Sequence, residues 1–350
     1  MSTADGNVLG ATKIRDRGPA STHWNLVFLG DGYRSNQMNQ YRGDVENAAD
    51  VVLTTAPFSA RSGLINVYRV DVTSTDSGAD DPTACGGTGA TSRTYFDASF
   101  CTNGIRRLLV VNNFTALQVA DAQVPEWDAV MVVVNSTVYG GSGGSVAVFS
   151  LAGNATEIAL HELGHTAFGL ADEYDNYAGC GSGETGRDHH PAIEPAQPNV
   201  TIASTRSTIK WRNLILASTP VPTTRNPDCT QCDTQSSPVP DGRVGAFEGA
   251  HYYHCRAYRP EYRCKMYELG RPFCAVCRRA ILARLPTTVP WVRELNATAA
   301  GNRVRNAGLV PRFTGSSSSN AFVLRQSPPF NAVVPGGSTV TMFMRTGPVP

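Results

Sequence analysis

Lysine is nearly missing from this chain of 350 residues. Only Lys13, Lys210 and Lys265 occur, so almost all the positive charge is arginine. The formal net charge is +1, and no one-signed field draws the chain to nucleic acid or an anionic membrane. No apolar run reaches the roughly 18 residues of a membrane-spanning helix. The opening "MSTADGNVLGATKIRDRG" is polar and lacks the apolar centre of an export signal. The remaining composition, 41% hydrophobic and 17% charged, is that of a globular protein. Cysteine, by contrast, is plentiful: Cys85, Cys101, Cys180, Cys229, Cys232, Cys255, Cys264, Cys274 and Cys277. An odd count leaves at least one outside any disulfide, and two pairs have Cys-x-x-Cys spacing.

Apolar patterning points to an α/β arrangement. "NLVFLGDGY" (25–33) and "INVYRVDVT" (65–73) read as strands, with a helix between them carrying Met38, Tyr41, Val45, Ala48, Ala49 and Val52 at helical spacing. "RRLLVVNN" (106–113) and "WDAVMVVVNS" (127–136) read as further strands flanking a short helix at 116–122. The alternation implies a twisted sheet with helices packed on it. "SVAVFS" reads as a short strand at the sheet edge, where Val146, Ala147, Val148 and Phe149 can pair with an extended peptide; a plain connecting loop is the alternative. Residues 179–241 are loop-rich, with one helical patch at "IKWRNLILA". "RPFCAVCRRAILARL" (271–285) reads as a helix stopped by Pro286, and "NAFVLRQ" and "STVTMFMR" as strands of a small β tail.

"NATEIALHELGHTAFGLADEYD" (154–175) carries the chemistry. Asn154 and Glu157 have the spacing of a capping box, and Gly169 suits the residue after a helix end. Four residues advance a helix by about 6 Å and just over one turn, so His161 and His165 share a face and can reach one ion. Glu162 sits one step round, where a carboxylate can deprotonate a water. His-Glu-x-x-His by itself is a weak signal, equally compatible with a surface helix. Beyond Gly169, however, a turn can return an acid to the same ion, completing the three protein ligands of a catalytic zinc. Asp172 keeps a glycine-plus-three spacing and is the favoured third ligand; Glu173 is the alternative, and the other of the two would orient a ligand histidine.

These blocks, with "FLGDGYRSNQM", "INVYRVDVTSTDSGADDP", "VNSTVYGGSGGSVAVFSLAGNATEIALHELGHTAFGLADEY", "IKWRNLI" and "EGAHYYHCRAYRPEYRCKMYELGRPFCAVCRRAI", resemble the bacterial IgA-specific metallo-endopeptidase family over roughly residues 25–285. The resemblance implies a zincin- or metzincin-like catalytic domain of α/β (α+β) class, with a twisted mixed sheet, an active-site helix and a methionine turn at Met266. It implies zinc held by His161, His165 and an acid of "LADEY", with Glu162 as the catalytic acid/base and a protein or peptide as substrate. Taken alone, a methionine is more often plain core. Tyr267, His251, His254, Tyr252 and Tyr258 lie near the methionine segment and are candidate oxyanion or substrate helpers, against ordinary packing. The catalytic domain is expected over 20–287, with a small β-rich appendage over 288–350. A binding module without catalysis and an amidohydrolase acting on a non-peptide amide are the rival functions.

The cysteines divide two ways. Cys229, Cys232, Cys274 and Cys277 can make a second, structural four-thiolate zinc site. The favoured alternative is disulfides, Cys85–Cys101, Cys255–Cys264 or links among the Cys-x-x-Cys cysteines, which suits a secreted or periplasmic peptidase; the cytoplasm is the other possibility.

Overall fold

The computed structural model describes residues 5–177, Cys180 and 186–347. Part of the loop-rich insert therefore lies outside the described residues. The first half of the chain builds a mixed six-stranded sheet from β1 (Gly6–Arg15), β2 (Trp24–Asp31), β3 (Ile65–Ser74), β4 (Ala129–Val134), β5 (Gly141–Ser142) and β6 (Ala147–Ser150), in the order β1-β3-β2-β4-β6-β5. The four inner strands run parallel, and β1 and β5 are antiparallel to their neighbours. Every residue of β2 and β4 is buried, as continuous apolar runs in a sheet covered on both faces should be.

Successive side chains leave β2 on opposite faces and seed two cores. Leu26 and Phe28 join α1 (Met38–Thr54) and α3 (Ala155–Phe168) on one face. Val27 and Leu29 meet α2 (Asn113–Gln123) and the 96–100 loop on the other. All six spaced apolar residues of α1 are buried. At the end of β2, Asp31 is fully buried and accepts from the backbone N–H of Phe96 and Ala98 and the hydroxyls of Ser74 and Thr94, which fixes the 94–98 loop to the sheet.

The second half contributes the hairpin β7 (Phe247–Ala250) and β8 (Tyr253–Arg259), then α4 (Ala275–Arg284), which joins the first core. After it come β9 (Thr287–Thr288), α5 (Ala297–Asn306), β10 (Val310–Gly315), β11 (Phe322–Ser327), β12 (Val333–Val334) and β13 (Thr339–Arg345). β10, β13 and β11 form a three-stranded sheet, and α5 closes a separate apolar cluster over it. Among the described residues no helix is long and apolar enough to cross a membrane.

Several expectations need correcting. Residues 106–113 are not a strand: they make only isolated bridges, Leu108 to Gly141 and Val110 to Ser99, while Leu109 and Val111 drop into the second core. "IKWRNLILA" forms no α-helix, only a short 3-10 turn at Arg212–Leu214. β6 is not the edge of the sheet, because it lies between β4 and the two-residue β5, which pairs with Val148 and Phe149, and Val146 falls just before the strand. Cys85–Cys101 is bridged as expected, but Cys255 pairs with Cys229 and Cys232 with Cys180. The Cys255–Cys264 pair and the four-thiolate set of Cys229, Cys232, Cys274 and Cys277 are therefore both excluded. The 229–232 turn sends its two sulfurs to different partners.

Candidate metal centre

Helix α3 packs its Ile158, Leu160 and Leu163 face into the core and leaves His161, Glu162 and His165 along a cleft. Its start is not the expected capping box, since the Asn154 side chain makes no cap bond. Glu157 instead pairs with the buried Lys265 ammonium and accepts from the Gly270 N–H, stapling the 265–270 segment to the helix. At the other end Gly169 adopts a left-handed φ of 62°, and the Leu170 N–H returns to the Gly164 carbonyl. The chain then doubles back along the helix. Buried Asn199 holds Ala171 from both sides, through its N–H (2.8 Å) and its carbonyl (2.9 Å).

That return brings Asp172 to the histidines. Its Oδ1 lies 3.0 Å from His161 Nε2 and 3.2 Å from His165 Nε2, and the two Nε2 atoms are 3.1 Å apart. Each imidazole uses Nδ1 to donate to a backbone carbonyl, His161 to Lys265 (3.0 Å) and His165 to Leu170 (2.7 Å). When both rings are neutral, with the proton on Nδ1, the two Nε2 lone pairs and a carboxylate oxygen converge on one point, three acceptors that need a shared proton or a cation between them. They suit a small cation: atoms about 2.0–2.2 Å from a tetrahedral zinc stand about 3.3–3.6 Å apart, a few tenths of an ångström wider than here. Electrostatics agrees. Burial works against charge on the imidazoles, yet Asp172 outweighs it, raising His161 and pushing His165 up to about 9. Burial also opposes the Asp172 charge, but the two histidines hold its carboxyl well below the usual range. The cluster is built to stabilise positive charge at its centre.

Glu162 faces the same cleft beside Gly141, and burial lifts its carboxyl above the ordinary value despite the pull of His161 and His165. Two glycines permit this crowding. A Cβ on Gly143 would come 2.4 Å from His165 Cβ, and one on Gly164 would come 2.9 Å from Met266 Sδ. Met266 is fully buried against α3, and its carbonyl accepts from the Glu173 N–H at 2.7 Å. Glu173 does not orient a histidine: its side chain turns the other way, to Asn199 and the unpaired cysteines.

The cleft has a volume of about 630 Å³. Of the expected helpers, Tyr267 lines it, while His251, His254 and Tyr258 do not. His251 bonds His190, His254 bonds the Cys229 carbonyl, and the Tyr258 hydroxyl donates to Glu248. Tyr252 does reach the site, and its hydroxyl donates to Asp172 Oδ2. It is placed there by the two-residue turn of the β7–β8 hairpin, where His251 and Tyr252 take φ of 57° and 69°. Tyrosine rarely adopts that left-handed region, and the turn is held by His251 N–H to the Asp172 carbonyl (3.2 Å) and Tyr252 N–H to the Tyr174 carbonyl (3.0 Å). Sequence reading missed Arg107, Tyr139 and Tyr174, which also line the cleft. Arg107 stands over the Tyr174 ring at 5.9 Å, and although burial opposes its charge, Tyr174 and Asp172 raise its pKa.

A helix presenting two imidazoles and a carboxylate, met by a returning acid, is the arrangement of a metal-dependent hydrolase. The family model described as IgA Peptidase M64 matches residues 12–235 and 231–285, so the chain belongs to that metallopeptidase family, and a protein substrate follows. No curated protein matches the chain.

Proposed function

We propose that this chain is a zinc-dependent endopeptidase, with His161, His165 and Asp172 as metal ligands and Glu162 as the general base. The observation that carries the reading is the convergence of two Nε2 lone pairs and a carboxylate oxygen within 3.0–3.2 Å of one another. When bound, zinc would supply Lewis-acid activation of water and of the scissile carbonyl. Glu162 takes the proton of the attacking water and passes it to the leaving amine. Tyr252 holds Asp172 in the orientation that meets both histidines, and Met266 supports α3 from beneath as a methionine turn. Tyr267 is the remaining candidate for stabilising the oxyanion.

The catalytic unit spans 20–287, and 288–350 is an appendage; the separate apolar cluster under its sheet supports that division. Three disulfides favour a secreted or periplasmic location. The test pairs metal analysis with a peptide-library digest of the parent, Glu162→Gln and His161→Ala. The expected result is cleavage by the parent only, with metal kept in Glu162→Gln and lost in His161→Ala. A metal-loaded parent that cleaves no peptide moves the function to protein binding or to a non-peptide amide.

A further inference from the structure

Three cysteines outside the disulfides, Cys264, Cys274 and Cys277, are buried together behind the catalytic helix, and Glu173 is buried with them. Cys264 Sγ lies 3.8 Å from Cys277 Sγ, and Glu173 Oε1 lies 3.3 Å from Cys277 Sγ and 3.9 Å from Cys274 Sγ. All four donor atoms fall within 4.8 Å of one another. Sulfurs bound to one tetrahedral zinc at about 2.3 Å stand about 3.8 Å apart, the separation of Cys264 and Cys277. We propose that Glu173, Cys264, Cys274 and Cys277 form a second, structural zinc site that braces the catalytic one from behind.

Two further observations point to an ion. Glu173 is completely buried, and its Oε2 has no hydrogen-bond partner among the described residues, while Oε1 accepts only one strong donor, Asn199 Nδ2 at 2.8 Å. A carboxylate so placed is costly unless a cation meets it or a proton neutralises it. The sulfurs also receive backbone donors as thiolates do: Cys264 Sγ accepts from the Cys274 N–H, and Cys274 Sγ from the Cys277 N–H, both at 3.3 Å, at the start of α4. The rival is oxidation. The other six cysteines are all bridged, but a trio can form only one disulfide, which strands the third sulfur and Glu173 in the core.

The site's position gives it a task. Glu173 directly follows Asp172, and Cys264 stands two residues before Met266. Lys265, between Cys264 and Met266, offers the carbonyl that fixes His161 Nδ1. An ion here ties the returning acid, the methionine segment and α4 into one unit. This claim does not depend on catalysis at the first site.

The test uses the full chain dialysed against zinc and then metal-free buffer. The parent should retain about two zinc ions per chain, and a His161→Ala/His165→Ala variant about one. Cobalt loaded into that variant should give the near-ultraviolet charge-transfer band of thiolate ligation, which Cys274→Ser/Cys277→Ser should lack. If the cysteine variant fails to fold, the cobalt spectrum of the histidine variant still decides. A folded histidine variant that holds no metal, a cobalt form without the band, or a disulfide among these three cysteines in the purified parent overturns the proposal. A parent and a histidine variant that each hold one zinc ion leave this site standing and remove the first.

Discussion

Gly164→Ala tests the packing of Met266 beneath α3. Alanine in an open helix interior is about 1 kcal/mol better than glycine, so an uncrowded site would gain stability. Here the new methyl would lie 2.9 Å from Met266 Sδ and 3.4 Å from both Met266 Cε and Leu170 Cδ1. Met266 and Leu170 are both buried, so neither can swing into solvent. Overpacking of this kind costs about 1–3 kcal/mol, which leaves a net loss of roughly 0–2 kcal/mol. In a Met266→Val background, without Sδ and Cε, the same change should return to neutral or stabilising, a coupling of about 1–2 kcal/mol. Urea unfolding of the four proteins at saturating zinc measures it. A gain of about 1 kcal/mol from Gly164→Ala in both backgrounds would refute the contact.

Three other outcomes are expected. Tyr252→Phe, which removes the hydroxyl that holds Asp172, should weaken metal affinity about 10–100-fold with little change in unfolding, as competitive chelator titration would show. Glu157→Gln should cost about 3 kcal/mol in chemical denaturation, because it leaves the ammonium of Lys265, only 3% exposed, without its partner. Burial lifts Asp31 to about 6 against an ordinary 3.8, so the folded state holds this proton more tightly than the unfolded chain. That contribution is complete below about 3.8 and is withdrawn as pH rises through about 6, up to about 3 kcal/mol. The stability difference between the parent and Asp31→Asn should therefore shrink from pH 4 to pH 7, and a constant difference would count against it.

Elements whose burial is decided locally were legible in the sequence. β2 and β4 are unbroken apolar runs, and α1 spaces its buried residues as a helix must. Gly169 marks the turn that returns Asp172, so the meeting of Asp172 with His161 and His165 followed from spacing. What stayed hidden depends on partners distant in sequence. Glu157 has capping-box spacing, but Lys265, 108 residues on, claims its carboxylate. "RRLLVVNN" is as apolar as a strand, yet it meets only isolated partners and serves as core filling. β1 escaped notice because an edge strand needs no apolar face, and six of its ten residues are polar or glycine. Cysteine spacing does not fix connectivity, so the bridges and the unpaired trio emerged only with the fold. Nothing in "AHYYH" signals a left-handed turn, which ordinarily takes asparagine or glycine.

The most direct test of the metal centre is anomalous scattering at the zinc absorption edge from crystals of the full chain. The account predicts a peak about 2.0–2.2 Å from His161 Nε2, His165 Nε2 and an Asp172 carboxylate oxygen together. Zinc-supplied crystals with no peak among those three atoms, or with a peak that Asp172 does not touch, would contradict it.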